Sequence, residues 1–290
     1  MLNLHLVRIF TAVATQGSFT GAAEALHISQ SAVSRAVREL ERQVGMALVE
    51  RHSRGVILTE AGKRLVLHAR RIFALERLAE LSLEELQTLQ TGHLAIGAST
   101  TIGIYMLPVL LGIYHRRYPG IELFLDIGNT QQIIRHVLDH RLDVAYVEGP
   151  VEQSDLVLTP WREDELVVIA SPDHPLAQRP SLTTRDLHMA PFIIREAGSG
   201  TRETTEQAFA RCGIAMRVVM ELGSTEAIKQ AVAAQLGISV VSRFAVQLEL
   251  ETRRLVILRV EDLTIRRSLT CVRHVDRPMS HALDAWLRMA

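Results

Sequence analysis

The spacing of apolar residues changes along the chain, and each change marks a different kind of element. In residues 4–15, Leu6, Ile9, Phe10 and Val13 recur at intervals of three and four, the stripe of a helix buried along one side. Gly17 stops it, and Ser18 stands where it can cap a second helix, FTGAAEAL, whose Ala22, Ala23 and Ala25 allow another helix to approach closely. After a turn at His27 and Ile28, Ser29 caps a third helix with Ala32, Val33, Ala36, Val37, Leu40 and Val44 on its buried side. Beyond Gly45, residues 49–51 and 56–58 read as two short strands around the turn Ser53-Arg54-Gly55. Thr59 then caps a long helix predicted to run to about Gln90, since neither Gly nor Pro intervenes after Gly62. Along it, Leu65, His68, Ile72, Leu75, Ala79, Ser82, Leu86 and Leu89 fall at heptad positions a and d, a mostly apolar seam that calls for a partner helix.

From His93 onward, short β-rich runs alternate with helical patterns. LAIGA, a helix to about His115, IELFLDI, a helix over 131–140 and DVAYVE predict a parallel sheet of α/β type. ELVVIAS, PFIIRE, a helix from about Arg202, RVVMEL, a helix over 225–234 and ISVVS repeat the pattern. Two similar α/β lobes with a cleft between them follow.

Four strand-to-helix junctions are rich in Gly and small polar residues: Ser99-Thr100-Thr101, Gly128-Asn129-Thr130, Gly198-Ser199-Gly200-Thr201-Arg202 and Gly223-Ser224-Thr225. Ligands of open α/β sheets bind outside the carboxyl ends of strands, where free backbone N–H groups and the helix dipole favour an anion. Ordinary N-capping explains Asn129 and Ser224. GSGTR carries more, because its glycines allow close backbone approach, Thr201 adds a hydroxyl, and Arg202 offers a planar cation suited to an oxyanion. Glu148 is awkward beside such a site, since a carboxylate repels an anion unless an Arg neutralises it. It is read as a hinge or rim residue, with Arg195 either its partner or a surface residue.

Composition is that of a globular chain, 48% hydrophobic and 22% charged. No apolar run reaches the length of a membrane span, and His5 and Arg8 interrupt what would be the core of a signal peptide, so a cytoplasmic location is expected. Cys212 and Cys271 have no CxxC spacing and read as free thiols, with no metal site and no cofactor indicated. Net charge is formally zero but uneven. Residues 1–71 hold ten Lys and Arg against five Asp and Glu, which leaves 22 basic and 27 acidic residues for the remainder. A basic head suits a polyanion. On its third helix Gln30, Ser31, Ser34, Arg35 and Arg38 lie opposite the buried stripe, a polar face that turns basic, as base and phosphate contacts require. Arg54, at the hairpin tip, is placed to enter a minor groove.

GSFTGAAEALHISQSAVSRAVRELERQVG followed by ERHSRGVILTEAG resembles the winged helix-turn-helix of LysR-type transcriptional regulators, with Val49 where the family usually has Phe. That resemblance implies a two-lobed effector domain like periplasmic solute-binding proteins, the C-terminal segment returning to complete the first lobe. It also implies that the long helix pairs two subunits on a pseudo-palindromic operator in double-stranded DNA, as a homodimer or homotetramer, with no membrane partner. Ser99, Thr100 and Thr101 match the junction where the family commonly holds its effector. VEGP, PWREDELVV, REAGSGTRE and ELGSTEAIKQAV resemble the branch that includes sulfite-sensing regulators of sulfur assimilation and carbon-fixation regulators that sense phosphorylated metabolites. Both imply a small anionic effector.

The expected organisation is therefore α/β. A winged helix-turn-helix spans 1–58, a linker helix 59–90, and an effector domain 91–290 with lobe I over about 91–160 and 266–290 and lobe II over about 161–265. The candidate effector residues are Ser99, Thr100, Thr101, Thr130, Glu148, Ser199, Gly200, Thr201 and Arg202. The alternatives are an aromatic or amino-acid-like effector, a solute receptor of a transport system, or an enzyme holding a phosphate cofactor at GSGTR. The receptor lacks an export signal and has no use for a helix-turn-helix. The enzyme lacks a GxSxG elbow, a Walker A motif and any evident nucleophile and base; Lys229 lies within a helical pattern.

Overall fold

The computed structural model describes residues 2–52, 55–85, 92–151 and 153–290. It falls into two compact units, Met1–Glu80 and Leu81–Ala290.

In the first unit, helix α1 (Leu4–Gln16) starts at Asn3, whose side chain accepts from the N–H groups of His5 and Leu6. It ends at Gly17, where φ is 63°. Ser18 accepts from Gly21 N at 2.9 Å to start α2 (Phe19–Leu26), and Ser29 accepts from Ala32 N at 3.2 Å to start α3 (Gln30–Val44). Both serines satisfy N–H groups that the helix itself leaves without partners. The three helices bury Val7, Phe10, Val13, Val33, Val37 and Leu40 together. Strands β1 (Val49–His52) and β2 (Gly55–Leu58) form the antiparallel hairpin, Val49 opposite Leu58. Ser53 and Arg54, at its tip, lie outside the described residues. The long helix α4 (Glu60–Glu85) begins where Thr59 Oγ1 accepts from Gly62 N, and Val66 and Ala69 enter the same core. Arg8 of α1 stacks 4.5 Å from the Phe73 ring centroid and pairs with Glu76, which fixes α4 to the head. Of the heptad seam, Leu65 packs against the head core, Leu75 is 56% exposed, and Leu86 and Leu89 lie outside the described residues.

The second unit starts with β3 (Gly92–Ser99), α5 (Thr100–Tyr105), α6 (Leu107–Arg117), β4 (Ile121–Gly128), α7 (Thr130–Leu138) and β5 (Val144–Glu148). A long strand β6 (Leu156–Ala170), a short α8 (Thr184–Leu187) and β7 (Pro191–Arg195) follow. Next come α9 (Gly200–Arg211), β8 (Arg217–Leu222), α10 (Thr225–Ala233), β9 (Ser239–Ser242), α11 (Gln247–Glu251) and β10 (Val256–Ile257). A second long strand, β11 (Ile265–His274), and α12 (His281–Leu287) close the chain.

Two sequence expectations need correction. The helix predicted to run to about His115 is two, because Pro108 has no N–H to donate and fits only the first turn of a new helix, α6. The predicted parallel sheet is mixed. β3 is parallel to β4 and β5, but β11 runs antiparallel to both β5 and β6, and β6 runs antiparallel to β9 and β10. β6 and β11 are the reason. They pair with each other from Leu156↔His274 to Leu166↔Ile265 and so cross together from one lobe to the other.

Each lobe has apolar layers of its own. In lobe I, Leu94, Ile96, Ile102, Leu107, Tyr146 and Trp286 form one cluster, and Ala95, Ile133, Val137, Val147 and Val272 form another. The odd and even positions of β3 thus serve different layers, as strand alternation requires. Lobe II repeats this with Val168, Phe192, Phe209 and Val240 in one cluster and Val167, Ile193, Ile228 and Val241 in the other. Among the described residues no helix is long and apolar enough to cross a membrane.

Candidate functional site

Two serines stand at the starts of helices in different lobes. Ser99 ends β3 and precedes α5, and Ser199 precedes α9. Neither side chain caps its helix. Both hydroxyls are buried, at 0% and 2% residue exposure, with no hydrogen-bond partner among the described residues. Asn129, Ser224 and Ser280 do bond the first turns of their helices, so the chain has ordinary caps elsewhere. A buried hydroxyl without a partner costs about 1–3 kcal/mol, so two of them at helix starts in different lobes mark these junctions as candidates for a bound group.

Between these helices lies a buried cation. Arg267 of β11 donates from Nε to Asp164 Oδ2 at 2.8 Å and from Nη1 to Thr201 Oγ1 at 2.9 Å, and its Nη2 lies 3.0 Å from Glu148 Oε2 and 2.6 Å from Asp164 Oδ2. Thr201 and Thr101 donate to Glu148 Oε1 at 3.1 and 3.5 Å. Asp164 also accepts from Ser242 Oγ at 2.8 Å. Burial pushes the Asp164 carboxyl above its usual range, against the opposing pull of Arg267 and Ser242. Asp164 and Arg267 are opposed in the β6–β11 register, in the stretch that neither β5 nor β9 covers. They therefore lie where β6 and β11 alone connect the two lobes. A cavity of about 400 Å³ lined by Glu163, Asp164, Glu165, Arg243 and Phe244 gives access to the same stretch.

The lobes meet across the cleft through side chains and backbone. Arg195 of β7, itself 3% exposed, donates to Thr100 Oγ1 at 3.3 Å and to Thr225 Oγ1 at 3.1 Å while holding Glu196 at 2.7 Å. Glu196 accepts from Asn129 Nδ2 at 3.3 Å. Burial pushes the Glu196 carboxyl up, but Arg195 outweighs this and holds it below the usual range. Gln131 N donates to the Gly198 carbonyl at 3.2 Å. At Gly200 a Cβ would collide with the Glu148 carbonyl, so only glycine lets α9 approach the end of β5 this closely.

The structure gathers Ser99, Thr101, Glu148, Ser199, Gly200 and Thr201 of the predicted set. Thr130 sits beside them and donates to the Glu148 carbonyl at 2.8 Å, and Thr100 lies at the rim on Arg195 and the Gly128 carbonyl. Arg202, read from sequence as the cation of the site, is placed elsewhere. One residue past Thr201 is a rotation of about 100° on a helix. Its guanidinium bonds Glu206 and Glu221 at 2.8 Å each and the Arg195 carbonyl at 3.2 Å. Those carboxylates, Glu206 first, raise its pKa further. Arg267 and Asp164 were missed because strands remote in sequence supply them. The available signal was phase: Arg267 stands with Ile265 and Leu269 on the buried side of an alternating strand.

On α3, Gln30, Ser31, Arg35 and Arg38 are exposed and Ser34 is partly so. Arg38 donates to Ser34 Oγ at 3.2 Å, while Arg35 has no ion pair among the described residues. A short polar turn followed by an unpaired guanidinium is a surface that can read base edges.

Residues 4–63 match the family described as bacterial regulatory helix-turn-helix protein, lysR family, and residues 87–290 match the LysR substrate binding domain. The chain is 39% identical over 285 residues to the RuBisCO operon transcriptional regulator of Allochromatium vinosum, covering 98% of this chain and 94% of that one. It is similar to the Synechocystis PCC6803 CcmR regulatory domain in complex with 2-PG, at 37% identity and TM-score 0.64 over 68% of this chain and 95% of that one. A full-length OxyR variant from Pseudomonas aeruginosa shares the fold, with TM-score 0.76 at 23% identity over 100% of this chain and 94% of that one.

Removing Arg267 leaves two buried carboxylates facing each other. Arg267→Met is expected to cost about 3–5 kcal/mol of stability in urea denaturation, and Asp164→Asn in the same chain to recover part of that loss. A cost under about 1 kcal/mol would show that Arg267 is not the counter-charge of the pair.

Proposed function

Because the chain belongs to the LysR family of helix-turn-helix transcriptional regulators, we propose that its effector is a small oxyanion of the phosphorylated-metabolite kind, enclosed between the lobes. Ser99, Thr101, Ser199 and Thr201 supply hydroxyls, the first turn of α9 supplies N–H groups, and Arg267 supplies the charge. The observation that carries this is the pair of buried, unpartnered serine hydroxyls, one from each lobe. The 2-PG complex of the CcmR domain supports it from a relative, 2-PG being 2-phosphoglycolate. Sulfite and sulfate are smaller members of the same chemical class. An anion that contacts both lobes binds the closed form better than the open one and shifts the equilibrium toward it.

Charge balance adds a condition. Glu148 and Asp164 share one guanidinium, so an arriving anion meets a surplus carboxylate. Proton uptake at Asp164, whose carboxyl burial already raises, would relieve that surplus as the anion enters. A second reading rests on the same surplus: an amino-acid-like effector whose ammonium pairs with Glu148.

Calorimetry on the full chain separates the two. 2-Phosphoglycolate is expected to bind with net proton uptake, measured as a heat that depends on the buffer's ionisation enthalpy. Because the proton enters with the ligand, affinity falls as pH rises. Ser99→Ala and Ser199→Ala are each expected to weaken binding roughly five- to tenfold, the worth of about one hydrogen bond. Binding by free amino acids alone, or oxyanion binding indifferent to both serines, refutes the assignment.

For the head, we propose that Gln30, Ser31, Ser34, Arg35 and Arg38 contact the operator, with Arg54 on the hairpin tip, and that α4 pairs two subunits. Arg35→Ala is expected to cost about 1–3 kcal/mol on the native operator and less on random DNA, in titrations at fixed salt. Equal losses on both would reduce Arg35 to a phosphate contact. Leu75 is exposed in the single chain, so Leu75→Glu leaves the fold intact. Sedimentation is expected to show it as a monomer at concentrations where the parent chain is dimeric; an intact dimer would move the interface elsewhere.

A further inference from the structure

Lys229 is one of two lysines in the chain and takes no part in the site above. It lies on α10 and is 4% exposed. Its ammonium pairs with Glu226 Oε1 at 2.6 Å and Glu249 Oε1 at 2.9 Å and donates to the Ala245 carbonyl at 2.9 Å. Three acceptors on three segments of lobe II use its three protons, an arrangement that suits a compact ammonium better than a planar guanidinium. Burial alone would lower its pKa, but Glu226 and Glu249 outweigh that and hold it above the usual range.

The consequence reaches across the cleft. Glu226 Oε1 also accepts from Tyr105 Oη at 2.6 Å, and Tyr105 belongs to lobe I. Lys229 Nζ lies 5.5 Å from the Tyr105 ring centroid, so the cation faces the phenol as well as the carboxylate. Burial, and after it the Glu226 carboxylate, push the Tyr105 phenol up to about 12, which keeps it a donor throughout the physiological range. Tyr105 is the last residue of α5, whose first two are Thr100 and Thr101. One short rigid helix therefore carries effector-site residues at one end and the bond to lobe II at the other.

We infer that Tyr105 and Glu226, with Glu226 held in place by Lys229, form a latch that keeps the lobes closed and positions α5 before any effector arrives. Tyr105 acts here as a positioning residue. The part that concerns effector affinity rests on the function proposed above; the closure of the empty protein does not. The latch also gives the buried lysine a purpose, since without Lys229 the Glu226 carboxylate is free to turn into solvent and Tyr105 has nothing fixed to dock on.

Hydrogen exchange on the effector-free full chain tests it. Tyr105→Phe keeps the ring and removes only the hydroxyl. It is expected to speed exchange roughly tenfold in 100–105 of lobe I and in 243–246, the lobe II segment that packs against it, and to leave the lobe cores unchanged. Glu226→Ala is expected to have the same effect, and the double variant to be no faster than either single one, because both remove one bond. Unchanged exchange in Tyr105→Phe, or effects that add in the double variant, overturns the latch. With 2-phosphoglycolate as probe, Tyr105→Phe is expected to raise Kd about tenfold while its protection at saturating ligand returns to the parent level. If the parent chain binds no oxyanion, the effector reading fails, and the exchange comparison still decides the latch on its own.

Discussion

The second unit is organised around one buried guanidinium. Arg267 reaches Glu148 at the end of a lobe I strand, Asp164 on the neighbouring long strand and Thr201 at the start of a lobe II helix. A buried charge of this kind is tolerated only when its partners are kept close, because each uncompensated ion costs several kcal/mol. Any movement of one lobe against the other must therefore rearrange contacts at this point. Its position lies between the stretches of β6 and β11 covered by β5 and by β9 and β10, so the ionic node sits on the strands that connect the lobes.

Around that node the polar groups divide into those that are satisfied and those that are held in reserve. Thr101, Thr201 and Thr130 commit their hydroxyls to Glu148. Ser99 and Ser199, one on each lobe, have no hydrogen-bond partner among the described residues and do not cap their own helices. Close backbone approach at Gly200 brings the start of α9 against the Glu148 carbonyl at the end of β5. The guanidinium of this node is shared with carboxylates because an unpaired guanidinium there would be as costly as an unpaired anion.

The head solves a different problem with different means. Its core is apolar and locally capped; Glu39 pairs with Arg42 along α3, whereas Arg35 has no ion pair among the described residues. A reading surface needs side chains that lose little when they leave water for a nucleic acid, and a guanidinium with no competing carboxylate meets that need. Arg8 on Phe73 and Glu76 fixes α4 to this head, so the direction of the long helix is decided by the same unit that reads DNA.

Features that depend on near neighbours were legible in the sequence. The three helices of the head, their serine caps and the hairpin follow from spacing and from residues within one turn of each helix end. So do the hydroxyl-rich junctions at Ser99 and Ser199, because a helix start is a local event. Features that depend on which surfaces meet were not legible. The rotation of α9 put Thr201 into the cleft and took Arg202 out of it to Glu206 and Glu221. The antiparallel pairing of β6 with β11 turned an expected parallel sheet into a mixed one and brought Arg267 to partners 66 and 103 residues away. The latch and the Arg267 node alike arise from contacts between distant segments, and periodicity cannot report such contacts because it records only which side of an element is buried, not what buries it.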